Sequence, residues 1–261
     1  VCVWKEKAQK KETMKELLEL RGVVTVLNTP FTEDNDIDLP GLEAHVAYAL
    51  DAGVAGFLVP AMASEVGKLR PEERELMVRT VVAGARGRAV VIGGASADSG
   101  ADRVRLAAQC LELGCGGVLV SIPYLEAAQY EAAVREITAL KPPFLMVQDW
   151  AADHYGVPIP VLKRLFAEID CFRCLKVEVV PAGVKYSEVL DATQGKLHVS
   201  GGWAVMQMIE ALDRGVHAFM PTGLHFVYQE IFRRYRAGDR DGARALHAEV
   251  LPVLAFSNQH L

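Results

Sequence analysis

Lys176 stands inside the strand-like run Cys174-Leu175-Lys176-Val177-Glu178-Val179, where an ammonium group is costly to bury unless it is paired or gives up its proton. Side chains alternate along a strand, so Cys174, Lys176 and Glu178 share a face and Glu178 lies one step further along it. An amine held in a desolvated site is the kind of group that adds to a carbonyl and forms an imine. The same pattern also fits a plain ion pair in which Glu178 does no more than hold Lys176 at the strand end. Cys171 and Cys174 have the spacing of half a metal site, but no second Cys or His pair completes a four-ligand set at the usual distance along the chain. The expectation is therefore reduced, buried thiols, with no metal and no cofactor.

Such a lysine needs a scaffold that carries it to the end of a strand. From Gly22 onward, short β-branched runs flanked by glycine alternate with longer amphipathic stretches, the pattern of repeated βα units around a parallel sheet. The strand-like runs begin at Val23, Gly56, Ala89, Gly117, Phe144, Phe172, Leu197 and His217. Eight of them within about 200 residues predict an α/β fold of the (β/α)8 TIM-barrel type. A doubly wound open sheet fits less well, because the first turn reads Asn28-Thr29-Pro30-Phe31 in place of a glycine-rich phosphate loop. Between the strands, Leu39 to Gly53 has apolar residues at helical spacing, and Pro71 sits at a suitable first helical position. Six further helices are expected over 101–114, 129–140, 160–169, 180–193, 203–215 and 225–237. The chain then divides into an N-terminal helical segment (1–21), the barrel (22–237) and a short C-terminal helical extension (238–261).

The composition excludes other classes. A net charge of −5 over 261 residues, with basic and acidic residues interspersed, leaves no face for tracking phosphates, so nucleic acid is a poor partner. No apolar run approaches the roughly 18 residues that a membrane span needs, and the N-terminal stretch lacks the apolar core of a signal peptide. The expectation is a cytoplasmic protein.

In barrels of this type the chemistry sits where strands end and βα loops begin. Five features at those positions occur in a fixed order: Thr29-Pro30-Phe31, a glutamate-bearing loop Ala61-Met62-Ala63-Ser64-Glu65, Pro123-Tyr124, Lys176 with Glu178, and Ser200-Gly201-Gly202. Together they resemble the dihydrodipicolinate synthase / N-acetylneuraminate lyase family of class I aldolases, from Gly22 to about His247. The resemblance implies a Schiff-base lyase, aldolase, synthase or dehydratase. Lys176 would form an imine with pyruvate or another small 2-oxo acid, and Gln148, Glu178 and Tyr124 would assist the chemistry. It further implies that Ala63, Ser64, Glu65, Asp149, Gly201, Gly202 and Trp203 contact substrate, and that the chain is a homodimer or homotetramer.

Several family features are replaced. Gln148 stands where the family carries its proton-shuttling tyrosine, Leu125 where it carries a second, and Met62 where it carries a threonine. Asp153 occupies the place of the arginine that binds a distal carboxylate in the synthase branch, which argues against dihydrodipicolinate synthesis itself. The losses also favour a second class of function, a non-catalytic ligand-binding or regulatory barrel that has lost the proton relay.

Overall fold

The computed structural model describes residues 20–257, and the helix expected over 1–21 lies, but for its last two residues, outside them. The strands are β1 (Gly22–Val26), β2 (Gly56–Val59), β3 (Val90–Gly94), β4 (Gly117–Ser121), β5 (Leu145–Ala151), β6 (Phe172–Val179), β7 (His198–Gly201) and β8 (Ala218–Phe219). All are parallel, each pairs with the next, and β8 closes on β1. A (β/α)8 barrel results, in the order the sequence predicts.

Each strand is followed by a helix: α1 (Leu39–Asp51), α2 (Pro71–Ala85), α3 (Gly100–Glu112), α4 (Ala127–Thr138), α5 (Ile159–Glu168), α6 (Ala182–Thr193), α7 (Met208–Asp213) and α8 (His225–Arg236). Local chemistry sets where they begin. The Asp38 carboxylate accepts from the Gly41 amide at the start of α1, Ser99 accepts from the Asp102 amide at α3, and Pro71 opens α2, each satisfying or removing an orphan N–H of the first turn. One stretch departs from expectation. The region 203–215 is not a single helix but a 3-10 turn (Trp203–Val205) followed by the short α7. The C-terminal extension is a helix, α9 (Arg240–Ser257). Its His247 Nε2 lies 2.7 Å from the Val205 carbonyl, tying α9 to the turn after β7.

Two apolar cores follow from the period-2 alternation of the strands. Val24, Leu58, Ile92, Leu119, Met146 and Cys174 meet on the barrel axis, whereas Val23, Phe57, Val91, Val118, Val147 and Val177 pack outward against the helices. Each fully buried Val or Leu contributes about 1.5–3 kcal/mol.

Two polar arrangements are sealed into this packing. At the barrel floor, the imidazole of His198 donates through Nε2 to the Leu20 carbonyl, and its Nδ1 lies 3.0 Å from the Cys174 thiol. The ring stacks on His217 with centroids 4.9 Å apart. Burial, reinforced by the neighbouring His217, pushes His198 down to about 3, and burial, with Arg21 nearby, pushes His217 down to about 4. In the outer layer, Lys185 of α6 is fully buried, 3.0 Å from the Asp149 carboxylate on β5. It also donates to the carbonyls of Tyr155 and Val157, and the Asp149 carboxylate accepts from the Val157 amide at 2.9 Å. Burial dominates both partners, lowering Lys185 and raising Asp149.

These groups make two predictions. Because the folded-state values of His198 and His217 lie below the unfolded value near 6.5, the unfolded chain takes up protons first as pH falls. The stability they contribute is complete above about pH 6.5 and is lost progressively toward pH 4, at up to about 1.4 kcal/mol per pH unit for each histidine. Urea unfolding at a series of pH values will show a slope that becomes shallower by about one proton in His217→Gln; an unchanged slope contradicts the assignment. Lys185→Met strands a buried carboxylate and should cost about 3–5 kcal/mol, most of it recovered in Lys185→Met/Asp149→Leu. Chemical denaturation of the single and double variants reads this directly, and a neutral single variant would show that the pair does not carry the stated cost.

Candidate active site

Strand length places the central group. With 7 and 8 residues, β5 and β6 run further toward the C-terminal end of the barrel than β7 and β8, with 4 and 2. Across four adjoining strands, Ser121, Gln148, Lys176 and Ser200 stand in register, Ser121 with Gln148, Gln148 with Lys176 and Lys176 with Ser200. Gln148 and Lys176 each follow an axis-facing residue, Met146 and Cys174, by two positions, so both face the axis. Lys176 is buried, resting above the apolar and thiol-lined floor.

Glu178 stands one inward step above Lys176. Its Oε1 is 3.1 Å from Lys176 Nζ, with both side chains largely excluded from solvent. Its Oε2 accepts a hydrogen bond from Gln148 Nε2. Three of the expected catalytic residues, Lys176, Gln148 and Glu178, thus form one connected group of amine, carboxylate and amide. The amine can become a nucleophile, the carboxylate can take up and return a proton, and the amide can orient the carboxylate or donate to an oxyanion.

The fourth, Tyr124, lies elsewhere. Its ring packs edge-on against Tyr130 of α4, centroids 5.5 Å apart, among the residues of the helix layer. Asp149 also faces outward, held by Lys185 beneath α6. The reason is geometric: Asp149 follows Gln148, and consecutive strand residues point to opposite faces.

The loop after β2 is braced from β1. Asn28 Nδ2 donates to the Ala63 carbonyl at 3.1 Å, and Thr29 Oγ1 donates to the Ser64 carbonyl at 2.6 Å. The Ser64 hydroxyl donates to the Leu27 carbonyl and accepts from the Ala61 amide. Since the Ser64 amide closes the turn onto the Ala61 carbonyl, Ser64 stabilises the loop and offers that amide to no ligand. Ala63 packs at the edge of the axial core. Glu65, in a left-handed backbone conformation, pairs with Lys68 at 2.6 Å on the exposed side.

At β7, Gly201 stands in register with Val177 and Phe219, and its carbonyl accepts from the Met220 amide. Gly202 lies directly against the Glu178 carboxylate. Trp203 opens the 3-10 turn beyond it, and its buried indole N–H has no hydrogen-bond partner among the described residues. Met62 and Leu125 are both exposed, and Asp153 and His154 project from the loop after β5, 89% and 56% exposed at their side chains.

Sequence reasoning passed over Ser121 and Ser200 as neighbours in register, and Lys185 altogether. Lys185 had a signal: with Ala182, Tyr186, Val189 and Thr193 it falls on the buried stripe of α6, where a lysine needs an acidic partner. Trp150 stands in register with Glu178 and is half exposed.

Comparison with known proteins agrees with this architecture. Residues 19–139 match the model of the dihydrodipicolinate synthetase family. The chain is 23% identical over 239 residues to the 4-hydroxy-tetrahydrodipicolinate synthase of Methanococcus maripaludis, covering 90% of this chain and 82% of that protein. It is 27% identical over 250 residues to the L-2-keto-3-deoxyarabonate dehydratase of Azospirillum brasilense, covering 92% and 80%. In fold it superposes on the dihydrodipicolinate synthase of Rhodopseudomonas palustris with a TM-score of 0.85 at 22% identity, covering 93% of this chain and 84% of that one. The corresponding enzyme of Aquifex aeolicus gives 0.81 at 21%, covering 89% and 81%. The matched family model over the first half of the barrel, the low identity spread over most of each relative, and the shared closed barrel make this chain similar to the dihydrodipicolinate synthetase family.

Proposed function

We propose that the protein is a class I lyase that forms a Schiff base between Lys176 and pyruvate or another small 2-oxo acid. The observation that carries this reading is the axial placement of Lys176, buried among Gln148 and Ser200 in register and 3.1 Å from a carboxylate able to take its proton. Glu178 accepts a proton from the ammonium, and the freed Nζ attacks the keto carbon. One proton passes from the attacking nitrogen to the former keto oxygen to give the carbinolamine, and Glu178 returns the other to its hydroxyl, which leaves as water and gives the iminium. The Glu178 carboxylate, free again, takes a proton from the adjacent carbon and yields an enamine, ready to make or break a carbon–carbon bond or to expel a neighbouring hydroxyl. The iminium is itself the electron sink, so the scheme invokes no separate cofactor.

Two of the relatives bear the names of a synthase and a dehydratase, and both reactions are open to such an imine. Asp153 supports a substrate other than that of dihydrodipicolinate synthesis, because a carboxylate there would repel a distal carboxylate. Self-association into a homodimer or homotetramer is part of the same proposal. The competing reading, a non-catalytic binding barrel, draws on the exposure of Met62 and Leu125, which leaves no hydroxyl at either place.

Borohydride reduction in the presence of pyruvate distinguishes the two. The expected product is a single reduced pyruvate adduct, mapped to Lys176 by peptide mass spectrometry and absent in Lys176→Ala. Glu178→Gln should slow its formation about 10²-fold, the low end of the usual general acid–base contribution. If neither pyruvate nor longer 2-oxo acids label the wild-type lysine, the Schiff-base reading is wrong.

A further inference from the structure

Glu178 can stand beside Lys176 only because the facing position on β7 has no side chain. Val177 is in register with Gly201, so the next step along each strand sets Glu178 against Gly202. A Cβ on Gly202 would overlap Oε1, Cδ and Cγ of Glu178, inside any permitted van der Waals contact. Gly202 does not have a positive φ, so its backbone conformation does not call for glycine. Space for the carboxylate does.

The two sides of this contact differ in mobility. The Gly202 amide donates to the Val177 carbonyl, and the turn that follows is anchored through His247 to α9. The wall is held by these hydrogen bonds, whereas the Glu178 side chain, 14% exposed, has rotatable bonds through which it can turn aside. Any side chain at 202 therefore evicts the carboxylate, leaving Lys176 without its counter-ion and Gln148 without its acceptor.

We infer that Gly202 is a positioning residue, a socket that seats the Glu178 carboxylate between Lys176 and Gln148 so that it transfers protons during imine formation. This deepens the Schiff-base reading and rests on it. It gives Gly202 a role different from the substrate contact expected from sequence. It also explains how a site with glutamine in the place of a tyrosine retains a proton carrier: the carrier comes from β6, and the glycine on β7 makes room for it. The other titratable groups facing the carboxylate are Lys176 on its own strand and, from α6, Tyr186, whose hydroxyl is raised by burial first and by the Glu178 charge second.

The test compares Gly202→Ala with Gly67→Ala, a glycine around which a methyl meets open space. In Gly202→Ala the maximal rate of borohydride trapping by pyruvate should fall about 10²-fold, as in Glu178→Gln, with the half-saturating pyruvate concentration within about threefold of wild type. Its pH profile should coincide with that of Glu178→Gln, and Gly67→Ala should match wild type. Adding Gly202→Ala to Glu178→Gln should slow the reaction by no more than about threefold, because the carboxylate is already gone. A Gly202→Ala rate equal to wild type, or a further large loss on the Glu178→Gln background, overturns the socket. Thermal unfolding supplies a readout that needs no turnover: Gly202→Ala should add no destabilisation on a Glu178→Ala background, so that Glu178→Ala/Gly202→Ala unfolds with Glu178→Ala even where Gly202→Ala alone does not fold. If Gly202→Ala further destabilises Glu178→Ala, glycine is required for another reason and the inference fails. Should wild type give no adduct, the Schiff-base reading falls while the unfolding comparison still decides the contact.

Discussion

Closure of eight parallel strands leaves every strand side chain two destinations, the barrel axis or the layer beneath the helices. The rest of the structure depends on that constraint. It separates the two hydrophobic cores, gives adjacent residues such as Gln148 and Asp149 opposite environments, and brings side chains from four strands into one row around the axis. The added length of β5 and β6 then raises that row's continuation, Glu178 and Trp150, to the mouth.

The same constraint gives two buried lysines contrasting roles. Lys185 is held on three sides by oxygen, from Asp149 and the carbonyls of Tyr155 and Val157, and the Tyr155 ring lies 4.1 Å from its ammonium. Every donor of the ammonium has an acceptor, so it acts as a rivet between α6 and the loop after β5. Lys176 has one carboxylate partner, on a side chain 14% exposed. An ammonium with one movable partner can exchange that partner for a substrate; one fixed by three acceptors cannot do so without dismantling the packing around it.

The chain differs from the family it resembles in the groups that surround its axial lysine. At the positions where the resemblance calls for a relay of two tyrosines and a threonine, the chain has Gln148, Leu125 and Met62, two of them exposed apolar residues. In exchange, a carboxylate reaches the amine from the amine's own strand. The change preserves the barrel because it substitutes side chains at the mouth and leaves the axial and outer cores untouched.

Much of this was legible in the chain order. Eight β-branched runs at regular spacing fix the number and succession of strands, because a strand buried on both faces must be apolar and β-rich over its whole length. Lys176 could be singled out because a charge in such a run conflicts with its surroundings. Period-2 alternation also linked it correctly to Cys174 and Glu178. What the sequence determined by itself, then, was the fold and the lysine, both of which follow from local pattern. Tertiary structure alone decided the company the lysine keeps: that Gln148 bonds to Glu178 across 30 positions, that Gly202 leaves room for the carboxylate, that Tyr124 turns to Tyr130 and that Asp149 serves Lys185. Those contacts join different strands and helices, and their partners are set by register and closure, which no stretch of sequence carries within itself.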